Sequence, residues 1–576
     1  MSHELSLSIV GAGGDGAVAA GDILSMASAR EGLSVIKTEA YGPQIRGGES
    51  SCTVRISATP IHAQADALDA LVVFHWADFA RFREELTLAK NAVVFFDAAD
   101  AAPEDMGMYR LFPIDFSARR GAKNIFALGL LSAVFGLPGD AVRGAIRGRF
   151  AKKGEAVITA NVEAFDAGFA NGLELAIGAD KLDYVATTPK LLMSGNDATA
   201  IGAVEAGCRY FAGYPITPSS EVLHSLSEWL PRLGGSCLQT EDELAAIGAV
   251  VGGSFAGAKS MTATSGPGLS LMSEMLGLAA IAEVPAVVVN VQRGGPSTGI
   301  PTKSEQSDLW HSLYGGHGDM PRVVLACSDV EDSFHATVDA FNIAEEFQTP
   351  VIVLSEQCIA QARQTLDPES LVHEVLDRRI ATPEELETYR RYRVTDDGVS
   401  PMSIPGMKLG EYQTNGLEHD EQGRPSAMYA THEVMNAKRW RKLEAIAKKY
   451  GHLFTRFGPE RPDLGILCWG SSAGVVREAV DRLTARGHRV AAFAPRILMP
   501  LPADEMQAFI DAAKSLLLIE ISFAKQFHRY LRSELVLPRD LHVYARSGGK
   551  NLTIGEVMTE ALRALAVPVM NDEVLA

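Results

Sequence analysis

The sequence predicts an α/β protein that is built largely from parallel β-sheets. Residues 5–175, 196–358 and 462–576 each alternate short apolar runs with amphipathic helical segments. Strands that alternate with helices imply βαβ crossovers, and such crossovers produce a parallel sheet with helices on its faces. The chain has 576 residues, which is enough for about three or four domains of ordinary size.

The first stretch carries strand and helix signals in close succession. In order, these are the strand LSLSIVGAGG, the helix AVAAGDILSMASAREG, the strands LSVIKTEAYG, ALVVFHW and AVVFFDA, and the helix FALGLLSAVFGL. Short apolar runs bounded by glycine or polar residues are typical of strands. Residues 180–196 lack such a period, and we interpret them as a connector.

The second and third stretches alternate more regularly. The predicted strands are CRYFAGYP, GSCLQT, AKSMTATS, PAVVVNVQ, PRVVLAC and PVIVLSE in the second, and LGILCWG, RVAAFAP and SLLLIEI in the third. Between them, residues 361–430 are rich in Gly, Pro and polar side chains, which predicts a long irregular segment. THEVMNAKRWRKLEAIAKKYG follows and predicts one exposed, charged helix.

Composition excludes several classes of protein. The formal net charge is -18 and the chain has no run of basic residues, which argues against nucleic-acid binding. The N-terminus lacks the features of a signal peptide, and no apolar run approaches the about 20 residues of a membrane span. The sequence therefore predicts a cytoplasmic protein that binds neither nucleic acid nor membrane.

The six cysteines do not form a cluster in the sequence. No two of them have CxxC spacing, and each lies in or beside an apolar segment. An iron–sulfur cluster requires several closely placed thiolates. We therefore expect small buried hydrophobic side chains and no cluster in this chain.

The glycine-rich loop Gly11–Gly16 has two interpretations. It follows a strand and opens a helix, and Glu39 lies 23 residues after Gly16, where a dinucleotide-binding domain places its ribose-binding acid. An NAD(P)-dependent oxidoreductase is one reading of this pattern. The other is a turn whose glycines only let strand and helix pack.

Several long motifs resemble those of thiamine-diphosphate-dependent 2-oxoacid:ferredoxin oxidoreductases. GAGGDGAVAAGD and YGPQIRGGESSCTVR resemble the gamma domain of that family. Five further segments resemble the alpha subunit of that family, namely GNDATAIGAVEAGCRYFAGYPITPSSEVLH, QTEDELAAIGAVVGGSFAGAKSMTATSGPGLSLMSE, VQRGGPSTGIPTKSEQSDL, DDGVSPMSIPG and GLEHDEQGRP. The similarity covers essentially the whole chain and suggests a fused gamma–alpha subunit. The best-known two-subunit enzymes of this type act on 2-oxoglutarate.

The resemblance implies a gamma domain followed by two transketolase-like parallel α/β domains. The expected boundaries are 1–180 for the gamma domain, 190–360 for the pyrimidine-binding domain, 361–460 for an irregular linker with an exposed helix, and 461–576 for the C-terminal domain. A separate beta subunit is expected to supply the diphosphate–magnesium site and the iron–sulfur cluster. In agreement, Gly14-Asp15-Gly16 is not followed by the Asn of a magnesium–diphosphate motif, because the first Asn is Asn91. No metal site is expected in this chain.

The implied reaction is the reversible oxidative decarboxylation of 2-oxoglutarate with coenzyme A, which yields succinyl-CoA and CO2 and passes electrons to ferredoxin. A dimer of alpha–beta pairs is expected. Pyruvate, or a branched or aromatic 2-oxo acid, is the alternative substrate. A non-catalytic scaffold that only binds a partner is a further alternative.

Tyr214–Ser220 lies where a predicted strand ends and a helix begins, the usual place for ligands in parallel sheets. Prolines at 215 and 218 fix φ on both sides of Ile216 and Thr217. By resemblance, Thr217 hydrogen-bonds the 2-oxo acid, and Tyr214, Pro215 and Ile216 line the cofactor. From the residues alone, the hydroxyl groups here are also suitable helix caps, and we assign capping to Ser219 or Ser220.

Glu243 has a structural and a chemical interpretation. Thr240 and Glu243 match the capping box of a helix start. The helix that follows is apolar on nearly every face, so we expect the carboxyl group to be desolvated. By resemblance, Glu243 shares a proton with the aminopyrimidine of the cofactor and so activates it. Glu241 is the competing residue.

The remaining assignments also come from the resemblance. Arg293 is expected to bind the substrate carboxylate, for which its planar fork is suited, although an arginine in a glycine turn can also be a plain surface residue. Ser265 and Gly266 are expected to line the cofactor, with glycine allowing close approach to a flat ring. The expected coenzyme A contacts are Arg46, Gly47 and Gly48. Arg496 and Glu520 are left unassigned, because the family pattern is broken beside them at Ser522 and Ala524.

Overall fold

Three β-sheets flanked by helices make up the fold in a computed structural model that describes residues 3–42, 48–116 and 122–567. The strands are β1 (Glu4–Ala12), β2 (Ser34–Tyr41), β3 (Glu49–Ser57), β4 (Leu68–Val73), β5 (Leu88–Asp97), β6 (Arg110–Ile114), β7 (Leu191–Ser194), β8 (Tyr210–Gly213), β9 (Ser236–Gln239), β10 (Ser260–Thr264), β11 (Ala286–Gln292), β12 (Val323–Ala326), β13 (Pro350–Glu356), β14 (Arg363–Leu366), β15 (Phe454–Phe457), β16 (Leu464–Leu467), β17 (Val490–Pro495), β18 (Ile497–Met499), β19 (Ser515–Glu520) and β20 (His542–Ala545). The α/β class is confirmed, and every predicted strand is present.

The α-helices alternate with these strands. They are α1 (Ala17–Arg30), α2 (Trp76–Phe82), α3 (Lys123–Phe135), α4 (Gly139–Phe150), α5 (Glu155–Glu174), α6 (Gly195–Glu205), α7 (Ser220–Trp229), α8 (Glu243–Phe255), α9 (Gly266–Ile281), α10 (Leu309–Tyr314), α11 (Val330–Phe347), α12 (Gln357–Ala360), α13 (Pro383–Leu386), α14 (Tyr429–Tyr450), α15 (Ser472–Ala485), α16 (Ala503–Ala512), α17 (Gln526–Glu534) and α18 (Ile554–Ala564). Within the described ranges, no helix combines the length and apolar character needed to cross a membrane.

The N-terminal sheet has the order β6-β5-β4-β1-β3-β2-β14-β7. Strands β1, β4, β5 and β6 are parallel, whereas β3 runs antiparallel to β1 and β2 runs antiparallel to β3. Strands β6, β3, β7 and β14 are not among the predicted strands. The last two come from segments on either side of the middle sheet in sequence, so this sheet joins distant parts of the chain.

The dinucleotide-site interpretation of the glycine loop is wrong in its geometry. A dinucleotide-binding domain needs its second strand parallel and next to the first, but β3 separates β1 from β2 here. Glu39 accepts hydrogen bonds from Lys37 Nζ and from the Tyr41 hydroxyl group. These two partners occupy the carboxylate that was expected to bind a ribose.

The middle sheet has the order β18-β12-β13-β11-β10-β8-β9, and all its strands are parallel except β18. Strands β11, β12 and β13 are buried along their whole length, as expected for a sheet covered by helices on both faces. The C-terminal sheet has the order β15-β17-β16-β19-β20, with only β15 antiparallel. The C-terminal part of the chain also contributes β18 to the edge of the middle sheet.

The prediction that the charged helix is exposed holds for only one of its faces. Residues 367–428 are mostly irregular, as expected, and α14 follows them. Lys438 and Lys442 on this helix are buried, and the Nζ atom of each lies 2.6 Å from an oxygen of the fully buried Glu283. A lysine can be buried when a carboxylate compensates its charge, and Glu283 provides that compensation from a distant part of the sequence.

Candidate active site

Loops from four neighbouring strands meet at one edge of the middle sheet. Strands β9, β8, β10 and β11 are adjacent and parallel, so their carboxyl ends lie side by side. The residues that follow these strands are Thr240–Glu243, Tyr214–Ser220, Ser265–Gly266 and Arg293. The structure therefore brings all predicted cofactor and substrate residues of the middle sheet to one place, the edge where ligands bind in open α/β sheets.

Glu243 is the first residue of α8 and is buried, with 6% of its surface exposed. The predicted capping box is wrong, because Asp242 is the N-cap and its Oδ1 accepts a hydrogen bond from the Ala245 amide at 2.7 Å. The Thr240 hydroxyl group instead donates to the Asp242 carbonyl at 2.8 Å. With capping done by Asp242, the Glu243 carboxyl group is not needed to start the helix.

The Glu243 side chain lies against the first turn of α9. A Cβ atom built on Gly268 would lie 2.6 Å from Glu243 Oε1 and 2.0 Å from Thr264 Oγ1. Both distances are far below van der Waals contact, so residue 268 must be glycine for Glu243 to occupy this position. The sequence reasoning assigned the glycines here to the approach of a flat ring, but at Gly268 the space is used by the protein's own carboxyl group.

Gly266 shows the same relationship with a different carboxylate. A Cβ atom built on Gly266 would lie 2.9 Å from Asp308 Oδ2. Beside it, the Ser265 hydroxyl group is buried and has no hydrogen-bond partner among the described residues. Sequence reasoning missed Asp308, and the only signal for it is its place just before a helix in the motif TKSEQSDL.

The Tyr214–Ser220 segment forms a short loop between β8 and α7. Tyr214 is 41% exposed, and Pro215, Ile216 and Thr217 are partly buried. The prediction that a serine side chain caps α7 is wrong, because Ser219 is the N-cap residue without a side-chain cap, and its hydroxyl group donates to the Ile216 carbonyl at 3.0 Å.

Asn196 braces this loop from the preceding helix. The side chain is buried, and its Nδ2 donates to the Pro218 carbonyl at 2.8 Å and to Glu221 Oε2 at 3.0 Å. Sequence reasoning did not single out Asn196. Its contacts tie the loop and the start of α7 to helix α6.

Arg293 is buried and reaches across β10 to the loop that follows β8. Its Nη1 donates to the backbone carbonyl of Thr217 at 2.5 Å, and its Nε has no partner among the described residues. Burial lowers the pKa of the Arg293 guanidinium, and the negative charge of Asp308 acts in the opposite direction. The plain surface-arginine interpretation is therefore wrong.

The loop that follows Arg293 is anchored by Glu356 at the end of β13. This fully buried carboxylate accepts hydrogen bonds from Ser304 Oγ, from Gln306 Nε2 and from the amide and hydroxyl groups of Ser471. Ser471 belongs to the C-terminal part of the chain. The loop that follows Arg293 is thus held between the middle sheet and the C-terminal part of the chain.

Two groups of predicted residues lie away from this site or outside the described chain. Arg46 and Gly47 are not among the described residues, and the carbonyl of Gly48 accepts a hydrogen bond from the Gly13 amide at 2.8 Å. Arg496 forms ion pairs with Asp332 at 2.5 Å and with Asp339 at 3.3 Å.

Comparisons with known proteins agree with this geometry. Residues 201–439 match the thiamine-diphosphate-binding domain of pyruvate flavodoxin/ferredoxin oxidoreductases, residues 6–171 match the pyruvate ferredoxin/flavodoxin oxidoreductase domain, and residues 462–557 match core domain II of pyruvate:ferredoxin oxidoreductase. Subunit alpha of the 2-oxoacid:ferredoxin oxidoreductase 1 of Aeropyrum pernix is 31% identical, and the alignment covers 93% of each chain. The chain belongs to the 2-oxoacid:ferredoxin oxidoreductase family.

Within this family, the chain is similar to alpha subunits of named enzymes. The 2-oxoglutarate synthase subunit KorA of Archaeoglobus fulgidus is 39% identical over 58% of this chain and 88% of that protein. A solved structure of 2-oxoglutarate:ferredoxin oxidoreductase from Magnetococcus marinus is 37% identical and covers 98% of this chain and 100% of its own, with a TM-score of 0.92. The predicted family, the gamma–alpha organisation and the oxidoreductase class are confirmed.

The polar groups of the site are compatible with thiamine diphosphate. A buried carboxyl group, that of Glu243, lies at this sheet edge together with Ser265 Oγ and Arg293 Nε. Within the part of the chain that the structure describes, these last two atoms have no hydrogen-bond partner. Buried polar atoms are normally hydrogen-bonded, so each of these is suited to a polar ligand group. The thiamine-diphosphate-binding character of the matched domain agrees with this chemistry.

Proposed function

We propose that this chain is the alpha subunit of a 2-oxoglutarate:ferredoxin oxidoreductase. With a beta subunit, it reversibly converts 2-oxoglutarate, coenzyme A and two oxidised ferredoxins to succinyl-CoA, CO2, one proton and two reduced ferredoxins. The observation that carries this proposal is that buried Glu243 and the Arg293–Thr217 contact share one sheet edge. The similarity to the Magnetococcus marinus enzyme, whose structure is described with 2-oxoglutarate, coenzyme A and succinyl-CoA bound, supports the substrate.

Each residue has one task in this reaction. Thiamine diphosphate, when bound, supplies the carbanion-stabilising chemistry that decarboxylation of a 2-oxo acid requires. Glu243 would hold a proton at the aminopyrimidine ring, from a carboxyl group that is buried at the start of α8. Tyr214, Pro215, Ile216, Ser265 and Gly266 form the wall against which the cofactor lies.

The substrate is bound beside the cofactor at the same sheet edge. The Thr217 hydroxyl group donates a hydrogen bond to the 2-oxo acid, and the Arg293 guanidinium binds its carboxylate. One guanidinium nitrogen of Arg293 already donates a hydrogen bond to the Thr217 carbonyl. This contact orients the other guanidinium nitrogens before the substrate binds. Such preorganisation lowers the entropic cost of binding.

We assign the diphosphate, the magnesium ion and the iron–sulfur cluster to the beta subunit. In support, the six cysteines of this chain are spread over residues 52–468, and four of them are buried. Helix α8, which begins with Glu243, also has an open face where Leu244 is 49% exposed and where a side chain at Gly248 or Gly252 would meet nothing within 4 Å. A partner that covers this face would complete the cofactor site, in a dimer of alpha–beta pairs.

Two further assignments complete the proposal. The expected domain boundaries are kept, with units at 1–180, 190–360 and 461–576 and the segment 361–460 packed between them. Coenzyme A is assigned to Arg46, Gly47 and Gly48. The contact of Gly48 with Gly13 supports this assignment for the described residue, because it sets Gly48 against the glycine turn at the end of β1.

Reconstitution tests the proposed function. The purified chain should be colourless and inactive, and activity should appear only with a smaller, cysteine-bearing subunit. The complex should reduce a dye in the presence of coenzyme A with a higher kcat/KM for 2-oxoglutarate than for pyruvate or branched 2-oxo acids. A lone polypeptide that is brown and active would refute the division of cofactors, and a preference for pyruvate would refute the substrate.

A further inference from the structure

Glu221 is a carboxylate next to the Tyr214–Ser220 loop and has no role in the reaction described above. It lies in the first turn of α7 and is partly buried. Its Oε2 accepts a hydrogen bond from Asn196 Nδ2 at 3.0 Å, and its Oε1 accepts one from Gln361 Nε2 at 3.1 Å. One carboxylate thus ties α7 to α6 and to the segment that joins α12 to β14.

Asn196 connects this carboxylate to the loop. Its side chain is 1% exposed, and the same Nδ2 also donates to the Pro218 carbonyl at 2.8 Å. The backbone beside it is closely packed, because a Cβ atom on Gly195 would stand 2.4 Å from the Ile359 carbonyl oxygen of α12. Pro218 follows Thr217 directly, so Asn196 holds the peptide next to the hydroxyl group that is proposed to bind substrate.

Gln361 connects the same carboxylate to the base of the N-terminal sheet. Its Oε1 accepts a hydrogen bond from Gln357 Nε2 of α12 at 2.9 Å. The strand β14 begins just after Gln361 and pairs with β2 and β7 of that sheet. A chain of hydrogen bonds therefore links the segment before β14, through Gln361 and Glu221, to Asn196 and the loop.

The donors around residue 221 call for an acid at this position. Asn196 and Gln361 each direct an NH2 group at it, and only a carboxylate offers two acceptor oxygens with no donor. An amide at residue 221 would turn an NH2 group of its own toward one of these two donors, and that contact would be lost. Glu221 is thus the one side chain that keeps both neighbours in place together.

We propose that Glu221 is a positioning residue for Thr217. Glu221 fixes the Asn196 amide, which in turn holds the Pro218 carbonyl. Because Arg293 holds the Thr217 carbonyl, two consecutive carbonyls of the loop have fixed partners. The Thr217 hydroxyl group is thereby placed before the 2-oxo acid binds. This inference rests on the proposed function, because it assumes that this hydroxyl group binds the substrate.

Exchanging the two partners tests the proposal. Glu221→Gln sets an NH2 group against that of Gln361, and Gln361→Glu sets two carboxylates against each other. The double variant E221Q/Q361E restores every contact, because the amide at residue 221 then donates to the carboxylate at residue 361. Asn196 and Gln357 both keep an acceptor in this double variant. We therefore expect each single variant to be impaired and the double variant to recover.

The first measurement is deuterium uptake by residues 216–222 in the full chain alone, followed by mass spectrometry. The Ser219 and Val222 amides donate within this stretch, to the Ile216 and Ser219 carbonyls, so their exchange reports how often the loop opens. Uptake should be faster than in the wild type in each single variant and should return to the wild-type rate in the double variant.

The second measurement is the steady-state kinetics of the assembled alpha–beta complex. In each single variant, kcat/KM for the 2-oxo acid should fall by about tenfold or more, since small misplacements of a binding group are costly. In the double variant it should lie within about twofold of the wild-type value. The KM for coenzyme A should stay within about twofold of the wild-type value in every variant.

Glu228→Gln is the matched control, because Glu228 is an exposed carboxylate of the same helix, paired with Arg232. It should change neither measurement. Wild-type uptake in both single variants would overturn the proposal, as would faster uptake without a loss of kcat/KM, or a double variant no better than the single ones. If the wild-type complex turns over no 2-oxo acid, the proposed function fails, and the uptake pattern alone decides whether Glu221 braces the loop.

Discussion

The carboxyl group of Glu243 occupies the space that a side chain at residue 268 would need. Glu243 begins α8 and Gly268 lies in the first turn of α9, and a Cβ atom on residue 268 would stand 2.6 Å from Glu243 Oε1. The buried carboxyl group and the helix that carries Ser265 and Gly266 are therefore fitted to each other. This relationship gives the proposed catalytic acid a fixed position before any cofactor binds.

Gly268→Ala is expected to displace Glu243 without unfolding the chain. Because alanine is a better helix former than glycine, any loss of function would not come from the propensity of α9. Activity of the assembled complex should fall by about 100-fold, the scale of loss for an about 1 Å misplacement of a catalytic group. Gly277→Ala on the same helix is the control, since its nearest neighbour would be Met320 Sδ at an ordinary 3.7 Å. Equal activity in both variants would contradict the assignment.

Glu243→Gln is expected to lower the activity of the complex by about 10²- to 10⁴-fold, the usual contribution of a general acid or base. Glutamine keeps the size of the side chain but cannot exchange a proton at neutral pH. The complex should still contain thiamine diphosphate, measured after denaturation. Glu241→Gln removes a neighbouring carboxylate that is exposed and should remain active. A fully active Glu243→Gln complex would instead support the scaffold alternative.

Arg293→Lys is expected to raise the KM for the 2-oxo acid by at least about tenfold. A single ammonium group cannot hold the Thr217 carbonyl and present a planar fork to a carboxylate at once. Steady-state kinetics of the complex give the KM, and the KM for coenzyme A should stay near the wild-type value. Arg232→Lys, which changes an exposed arginine paired with Glu228, is the control and should have no effect.

Gly252→Arg is expected to block assembly with the beta subunit while leaving this chain folded. Gly252 is exposed on α8, and a side chain there meets nothing within 4 Å in the chain itself. A bulky charged residue would therefore clash only with a partner on that face. Size-exclusion chromatography of the co-expressed subunits measures assembly. Gly107→Arg, at an equally open position in the N-terminal part, should assemble normally, and assembly of both variants would exclude this face of α8 from the interface.

The buried lysines of α14 predict a pH-dependent stability. Burial lowers the pKa of Lys442 to about 7, whereas a lysine in an unfolded chain titrates at about 10.4. Between these values the unfolded chain binds more protons than the folded chain, so the free energy of unfolding rises with pH. In Lys442→Met this rise should be smaller by up to about 1.4 kcal/mol per pH unit, measured by chaotrope unfolding.

Lys449→Met is the control for this experiment, because Lys449 lies on the same helix in a half-exposed ion pair with Glu346. Its pH profile should match that of the wild type over the same range, since exposed ion pairs contribute little to stability. Parallel profiles for the wild type and Lys442→Met would show that Lys442 stays charged in the folded chain.

The sequence by itself determined six strands of the middle sheet and the candidate residues that follow them. Apolar runs gave the positions of β8 to β13, and the residues that follow these strands include Thr217, Glu243 and Arg293. These positions could be predicted because a buried strand consists largely of apolar residues. The site could be predicted because parallel strands place their carboxyl ends at the same edge of a sheet. The helix caps were less predictable, since Asp242 and Thr240 are both suitable caps and only the backbone decides between them.

Only the tertiary structure decided which distant residues meet. The order β9-β8-β10-β11 brings Arg293 to Thr217, 76 residues earlier, and the sequence does not specify strand order. Likewise, α14 has the charge pattern of an exposed helix, but Glu283 lies 155 residues before Lys438 and makes its burial possible. The periodicity of apolar residues indicates how much of a segment is buried. The counter-charge of a buried charged residue and the neighbour of a strand depend instead on contacts between segments that are remote in the chain.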